Sequence, residues 1–476
     1  MTRVIIVGGG IAGLATAYYL QEGARAAGIR LEYILIESRP RFGGTIVTDR
    51  LDGFVIEGGP DCFLSQKPWA LELCQQLGLA DRLIGTNDER RKVYVLWQGR
   101  LHELPEGVML IVPTRFAPFL RSSLLSLSGK LRMGLDLVIP PKRDDDDESL
   151  ADFVRRRLGS EALEKIAEPL MAGIHVADPE RLSLKATFPR FIELEKKHGS
   201  LIRGMLAQRR RAAARGPDGA RRRWSMFVSL RGGLTELVEA LVGRLSAGSL
   251  MAGRRVVGLS RPLGGAAPYT VHLDDGTSLR ADAVVLATPA YITAHLLEGL
   301  NPSLAGALRA IPYVSTATVS LGYKRADLIH PLDGFGFVVP KRENRKIMAC
   351  TWTSAKFDGR APHDHVLLRG FIGGTRAEHL VELDDEAMVR MVQEELRAIM
   401  GVTAEPVLAR VYRWEKASPQ YEVGHLERVA ALEAMCAPHP GLFLTGSAYR
   451  GVGIPDCIHD GALTAERVLR FVNRSA

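Results

Sequence analysis

Val4-Ile5-Ile6-Val7-Gly8-Gly9-Gly10-Ile11-Ala12-Gly13-Leu14-Ala15-Thr16-Ala17-Tyr18-Tyr19-Leu20 decides the fold. Four apolar residues with no polar alternation read as a buried parallel strand. The glycines that follow read as a tight turn into a helix. A second apolar strand, Leu31–Ile36, ends in Glu37 with Ser38 beside it. The order is strand, glycine turn, helix, strand, acid. Gly8 permits the turn, Gly10 lets the backbone approach a pyrophosphate, and Gly13 lets the helix pack close to the strand. The helix N-terminus directs N–H groups and a positive dipole toward phosphate. Gly9, Ile11 and Ala12 complete the loop, and Glu37 is in reach of a ribose hydroxyl pair. Glycine turns of this form are common. The complete βαβ setting is what points to a dinucleotide.

Working outward, Arg39-Pro40-Arg41-Phe42-Gly43-Gly44-Thr45 comes directly after the acid. A basic residue and a glycine pair at this place resemble the FAD-binding amine-oxidase superfamily. There the pair turns the chain back across the cofactor. Glu57-Gly58-Gly59-Pro60 follows at the spacing of a loop over the flavin. Later pieces read as the second half of such a domain: a helix opening near Arg231–Leu237, a strand at Arg254–Leu259, a hairpin of Tyr269–Leu273 and Thr277–Leu279 around Asp274-Asp275-Gly276, and a buried strand at Asp282–Ala287. Near the C-terminus, Leu442–Leu444 enters Thr445-Gly446-Ser447-Ala448-Tyr449-Arg450-Gly451-Val452-Gly453-Ile454, and a helix is expected from about Pro455. Such a helix N-terminus suits negative charge on a reduced flavin.

The resemblance then narrows. The sequence looks like the oxygen-dependent protoporphyrinogen/coproporphyrinogen oxidases. The matching stretches are Gly8–Gly13, Glu37-Ser38, Arg41–Gly44, Gly59-Pro60-Asp61, Gly173–Asp178 with Leu182-Ser183, Phe188-Pro189, Arg231–Leu234, Pro419-Gln420-Tyr421 with Gly424-His425, and Gly451–Ile458. The Gly451–Ile458 stretch and Arg413-Trp414 lean toward the bacterial coproporphyrinogen III branch. The resemblance implies FAD contacts at Gly8–Gly13, Glu37, Ser38, Arg41, Gly43, Gly44, Thr45, Gly59, Pro60, Asp61, Cys62, Val256, Trp414, Val452, Gly453 and Ile454. It implies substrate contacts at Arg91, which precedes a Tyr-Val strand and suits a propionate carboxylate, and at His175. Phe335, Phe337 and Ile372 are candidates for an apolar substrate cavity. Three departures stand out. His175 replaces an aromatic, Val176-Ala177 replaces Ala-Gly, and Thr45 replaces a larger residue.

The chain has 476 residues, 46% hydrophobic and 24% charged, the composition of a globular protein. Its cysteines (62, 74, 350, 436, 457) are scattered and form no Cys-x-x-Cys pair. This supports neither a disulfide framework nor a metal site, and it fits a reducing compartment such as the cytoplasm. No apolar run reaches spanning length. The fold expected is α/β. A discontinuous Rossmann-like FAD domain (1–85, 225–295, 430–476) is interleaved with a mixed-sheet α+β substrate domain (86–115, 296–429) and a mostly helical insertion (116–224). Within the insertion, residues 203–223 carry eight arginines and one aspartate, seven of the eight units of net positive charge. This segment reads as a basic loop, either solvated or touching an acidic membrane surface or a haem-pathway partner. The acidic run Asp144–Glu148 reads as solvation and capping ahead of a helix near Ser149–Leu158.

The function implied is a six-electron oxidation of coproporphyrinogen III with oxygen, releasing hydrogen peroxide. The flavin carries the chemistry, with no protein nucleophile, catalytic triad or metal. Protoporphyrinogen IX stays open as the substrate. A flavin amine oxidase or carotenoid desaturase shares the N-terminal motifs, and a non-catalytic FAD-dependent scaffold is the reading from another class. No zinc finger or aromatic-basic platform supports nucleic acid. Oligomeric state stays open.

Overall fold

The structure is a computed structural model. It describes residues 2–105, 107–109, 111–113, 115–214, 224–262 and 268–475. Strand Thr2–Val7 lies at the centre of a five-stranded parallel sheet. Leu31–Glu37 and Leu250–Ala252 lie on one side of it, Ala283–Leu286 and Leu442–Leu444 on the other. Burial on both faces explains the unbroken apolar run. Val4 and Ile6 join a core with helices Ile11–Ala27 and Ile454–Ser475, while Ile5 and Val7 join a second core with Leu286, Leu296 and Leu304. Strand order reverses beside Thr2–Val7, so a crevice opens at the carboxyl ends of that strand and Ala283–Leu286. The two helices pack closely there because Gly461 has no side chain. A Cβ at that position would lie 2.7 Å from the Ala12 carbonyl oxygen.

The second sheet has seven strands, ordered Leu408–Pro419, Tyr313–Lys324, His365–Gly373, Ala349–Trp352, Gly334–Val338, Lys92–Trp97 and Arg100–Glu103. All its pairs are antiparallel except Gly334–Val338 with Lys92–Trp97. Helix Asp385–Met400 is capped by the Asp384 carboxylate and by left-handed Gly401. It covers one face, where Ala317, Val319, Leu321, Leu368, Ile372, Val392 and Leu396 interlock. Phe337 and Ile372 belong to this core and are almost fully buried, which corrects their reading as cavity walls. Strand alternation turns the neighbouring Arg369 and Thr318 to the opposite face. Hairpin Thr48–Leu51/Phe54–Glu57 leans on that sheet through Phe54, Ile56, Leu367 and Leu408.

Residues 116–214 are helical, around a core of Phe153, Val154, Ile166, Phe191, Leu201 and Met205. Two expectations change here. The basic segment is not a loop over its first half. Leu201–Ala214 is a helix, because Ala, Leu, Met, Gln and Arg favour it and Leu201, Ile202 and Met205 anchor it. Residues 215–223 lie outside the described residues. The acidic run does more than solvate. Asp147 accepts from Ser183 Oγ (2.5 Å), Lys185 N (3.2 Å) and Gly424 N (3.2 Å), and Ser149 Oγ caps helix Leu150–Arg157.

Candidate active site

The glycine turn is built as the spacing requires. Gly8 takes φ +106°, and a Cβ at Gly13 would stand 1.9 Å from the Gly8 carbonyl oxygen, so neither position accepts a side chain. Gly10 differs. Its φ is −69°, and a Cβ there would meet nothing within 4 Å, so open space lies over it. Gly10 caps helix Ile11–Ala27 without a side-chain bond, and the first turn has no acid. An open cradle before an uncapped helix N-terminus fits a pyrophosphate. Glu37 is buried. Its carboxylate accepts from Gly9 N (2.7 Å), Arg39 N (2.8 Å) and Ser38 Oγ (3.2 Å), which joins the second strand to the turn. Gly43 N donates to Gly9 O at 2.8 Å. The Arg41 guanidinium braces the same turn by donating to the carbonyls of Gly44 (2.8 Å) and Ile46 (3.3 Å). Val256 is buried two residues beyond Arg254, whose N–H donates to Glu37 O at 3.0 Å.

The loop at Gly58–Cys62 is held from the polar face of the seven-stranded sheet. The Gly58 carbonyl accepts from Trp414 Nε1 (2.8 Å), Thr318 Oγ1 (3.1 Å) and Arg369 Nη2 (3.2 Å). Arg369 Nη2 also donates to Gly59 O. A Cβ at Gly58 would lie 2.6 Å from the Tyr412 ring, and one at Gly59 1.8 Å from Thr45 O, so the pair has to be glycine. Lys356 Nζ donates to Asp61 Oδ2 (2.9 Å) and to Cys62 Sγ (3.4 Å). Burial pushes the Asp61 carboxyl up, but Lys356 and Arg369 outweigh it and hold the group well below the ordinary carboxylate range. Burial raises the Cys62 thiol, and neighbouring Asp61 adds to this, so Cys62 stays protonated. Glu57 accepts from Leu234 N (2.8 Å) and Thr48 Oγ1 (2.7 Å), 3.8 Å from Arg360. Burial still lifts its pKa to about 7.

The C-terminal loop is braced from below. Asp460 Oδ2 accepts from Thr445 Oγ1 (2.7 Å) and Gly446 N (3.0 Å). The Tyr421 hydroxyl accepts from Gly451 N (2.8 Å) and donates to Ser447 O (2.6 Å). His425 stacks on Tyr421 with ring centroids 3.8 Å apart, and its Nε2 donates to Tyr449 O at 3.0 Å. Burial depresses its pKa to about 4, so the ring is neutral near pH 7. Lys67 Nζ reaches Asp456 at 2.6 Å, at the start of helix Ile454–Ser475. The loop Val452-Gly453 thus enters this helix from a fixed direction.

Contacts join Gly43 to Gly9, Trp414 to Gly58, and the N–H of Arg254, two residues before Val256, to Glu37. Ser38 and Thr45 are exposed. Arg91 is exposed just before strand Lys92–Trp97. His175 ends helix Glu168–His175, and its side chain lies outside the described residues. Sequence reading missed Lys356, Arg360, Arg369 and Asp460. Arg369 left a signal, a lone arginine inside the apolar strand His365–Gly373. A charge in such a strand needs a buried partner. Lys356 left none.

The flavin-containing amine oxidoreductase family model matches residues 11–469. The chain is 38% identical over 471 residues to coproporphyrinogen III oxidase of Bacillus subtilis (strain 168), covering 99% of this chain and 98% of that protein. The chain belongs to the flavin-containing amine oxidoreductase family, in the branch of the porphyrinogen oxidases. This flavoenzyme is also 31% identical to protoporphyrinogen oxidase 1, chloroplastic, of Arabidopsis thaliana, covering 100% of this chain and 89% of that protein. Its backbone matches a provisionally assigned protoporphyrinogen oxidase from Exiguobacterium sp. 255-15, with TM-score 0.85, 34% identity and 98% of both chains covered. As a flavin oxidoreductase of this family it requires a flavin.

Proposed function

We propose that this flavoenzyme oxidises coproporphyrinogen III to coproporphyrin III in the cytoplasm, with FAD as its flavin. Oxygen is the acceptor, and each pair of electrons leaves as hydrogen peroxide. The observation that carries the reading is end-to-end similarity at 38% identity to a bacterial coproporphyrinogen III oxidase. FAD, when bound, supplies hydride acceptance and passes the electrons to oxygen.

The chain's own residues bind, orient and shield. Glu37 would exchange part of its present bonding for the adenosine ribose, and Val256 would flank the adenine. Gly8–Gly13 would receive the pyrophosphate, with Arg41, Gly43 and Gly44 shaping the turn beside it. Gly59–Cys62, Thr45, Trp414 and Val452–Ile454 would hold the flavin ring. The N-terminus of helix Ile454–Ser475 would favour negative charge at the ring edge it faces. Arg91 would pair with a propionate, and His175 would contact the macrocycle. We divide the chain as 1–85, 225–295 and 430–476 for the cofactor and 86–115 and 296–429 for the substrate, with the helical insertion at 116–224.

Porphyrin fluorescence tests this with FAD-loaded protein and both porphyrinogens, with and without oxygen. Faster oxidation of coproporphyrinogen III, dependent on oxygen, is expected. Faster oxidation of protoporphyrinogen IX assigns the substrate of the Arabidopsis relative instead. Oxidation of neither overturns the reading.

A further inference from the structure

Arg369 lies inside strand His365–Gly373 with 2% of its surface exposed. Among the described residues it forms no ion pair with a carboxylate, and its Nε has no hydrogen-bond partner. Nη2 donates to the carbonyls of Gly58 (3.2 Å) and Gly59. The Phe371 ring, 4.9 Å from Cζ, eases the burial but brings no counter-charge. An arginine cannot shed its proton, so a guanidinium withdrawn from water in this way is costly.

Its neighbours do not supply the missing charge. Lys356 pairs with Asp61 (2.9 Å) and Arg360 with Glu57 (3.8 Å), and both cations are buried. Glu236, the other acid near Arg360, is held by Arg82 at 2.5 Å. Three buried cations thus face two carboxylates, and one positive charge is left over. Glu57, its pKa lifted to about 7, offsets only part of a charge at neutral pH.

Such a surplus suits an anion from outside the chain. The Gly58 carbonyl is held by Trp414 Nε1, Thr318 Oγ1 and Arg369 Nη2. The peptide is planar and trans, so Gly59 N–H points the opposite way. It donates to no acceptor among the described residues. The cations therefore draw one side of this peptide and leave its donor free on the other. A propionate would have to reach the guanidinium itself to form a bidentate pair, and Arg369 is closed off. A delocalised charge beyond the loop needs no such contact, because a field in a low-dielectric interior acts at a distance. Hydride acceptance leaves one negative charge on a flavin ring, since two electrons and one proton leave the substrate C–H bond together.

We propose that Arg369, with Lys356 and Arg360 behind the same loop, sets the reduction potential of the bound flavin by stabilising the negative charge of its reduced ring. The proposal rests on the reading that Gly59–Cys62 hold the ring.

The test is the midpoint potential of FAD-loaded protein, read anaerobically against a reference dye at pH 8, together with sulfite affinity. Sulfite adds to oxidised flavin and leaves the ring negative, so it reports the same surplus. Arg369→Gln should disfavour the reduced ring on the order of tenfold, a potential about 30 mV lower for a two-electron couple, and should weaken sulfite binding by a similar factor. Arg369→Lys keeps the charge and should restore most of the shift. Glu57→Gln enlarges the surplus and should move both readings the opposite way, which loosened packing would not do. An Arg369→Gln protein that holds FAD at the wild-type potential overturns the proposal, as does a lower potential in Glu57→Gln. Should Arg369→Gln fail to hold FAD, the sign of the Glu57→Gln shift decides. A raised KM for either porphyrinogen at unchanged potential also overturns it and would assign the charge to a propionate. The potential is measured without porphyrinogen, so failure to oxidise either one, which sinks the proposed function, leaves this measurement standing.

Discussion

Lys356 Nζ lies 2.9 Å from Asp61 Oδ2, although 295 residues separate them in sequence. Both side chains are largely withdrawn from solvent, at 11% and 14% exposure. The pair joins the segment after strand Ala349–Trp352 of the mixed sheet to the loop that follows Gly58-Gly59. Arg369 adds a second cation to the same carboxylate's surroundings while holding the carbonyls of Gly58 and Gly59. The loop is thus positioned by charges that come from the other half of the molecule.

Lys356→Met should destabilise the protein by about 3 kcal/mol at neutral pH, because Asp61 is left buried without its cation. Asp61 is depressed in the folded state. Its contribution to stability is present above the unfolded carboxylate value, about 4, and is lost as pH falls through the lower folded value. In the variant Asp61 regains an ordinary or raised pKa and can take up a proton in mild acid. The deficit should therefore narrow between pH 7 and pH 4 in denaturant unfolding. A deficit independent of pH would mean that Lys356 acts through packing alone.

Glu57 behaves in the opposite sense. Its folded pKa, about 7, lies above the unfolded value because burial outweighs Arg360 and the donated hydrogen bonds. Its contribution is fully present below the unfolded value and is lost as pH rises through about 7. Glu57→Gln removes that titration and keeps an oxygen for Leu234 N. Between pH 4 and pH 8 the wild type should lose about 2–3 kcal/mol more stability than the variant. Parallel stability curves for the two proteins would contradict this.

These charges mark where sequence reading stopped. The glycine turn, Glu37 and the strand order around them were legible because each follows from local geometry: a turn that tolerates no side chain, a helix start, an acid at a strand end. The α/β class was legible from the apolar strands and the helix between them. The support behind the loop was not. Lys356, Arg360 and Asp460 act across hundreds of residues or from inside an amphipathic helix, and no local pattern marks them. The basic segment was misread because arginine repels in a loop and is a good helix former, and only the anchoring of Leu201, Ile202 and Met205 decides between the two.

Gly10→Ala and Gly13→Ala should fail differently. At Gly10 the backbone already suits alanine, and the new methyl group meets nothing in the protein, so thermal stability without flavin should be unchanged. The methyl group would occupy the cradle, and flavin occupancy should fall on the order of tenfold or more. At Gly13 the methyl group collides with the Gly8 carbonyl and the fold itself should lose about 3 kcal/mol. Flavin absorbance and apoprotein melting, measured together, separate the two outcomes. A Gly10→Ala protein that retains full flavin would remove Gly10 from the cofactor cradle.

Tyr421→Phe tests the brace under the C-terminal loop. The hydroxyl both accepts from Gly451 N and donates to Ser447 O, so its loss leaves two backbone groups unpaired beneath the turn into helix Ile454–Ser475. About 2 kcal/mol of stability should be lost. The loop carrying Val452 and Gly453 would then sample more positions, so flavin should dissociate faster and its visible spectrum should broaden. The ring stacked on Tyr421 does not complicate the reading. His425 has a pKa of about 4 and stays neutral from pH 6 to pH 8, so the variant's deficit should be flat across that range. Stopped-flow flavin release and unfolding at pH 6 and pH 8 check both parts. A stability loss with unchanged flavin release would confine Tyr421 to the fold and leave the orientation of the loop to Asp460.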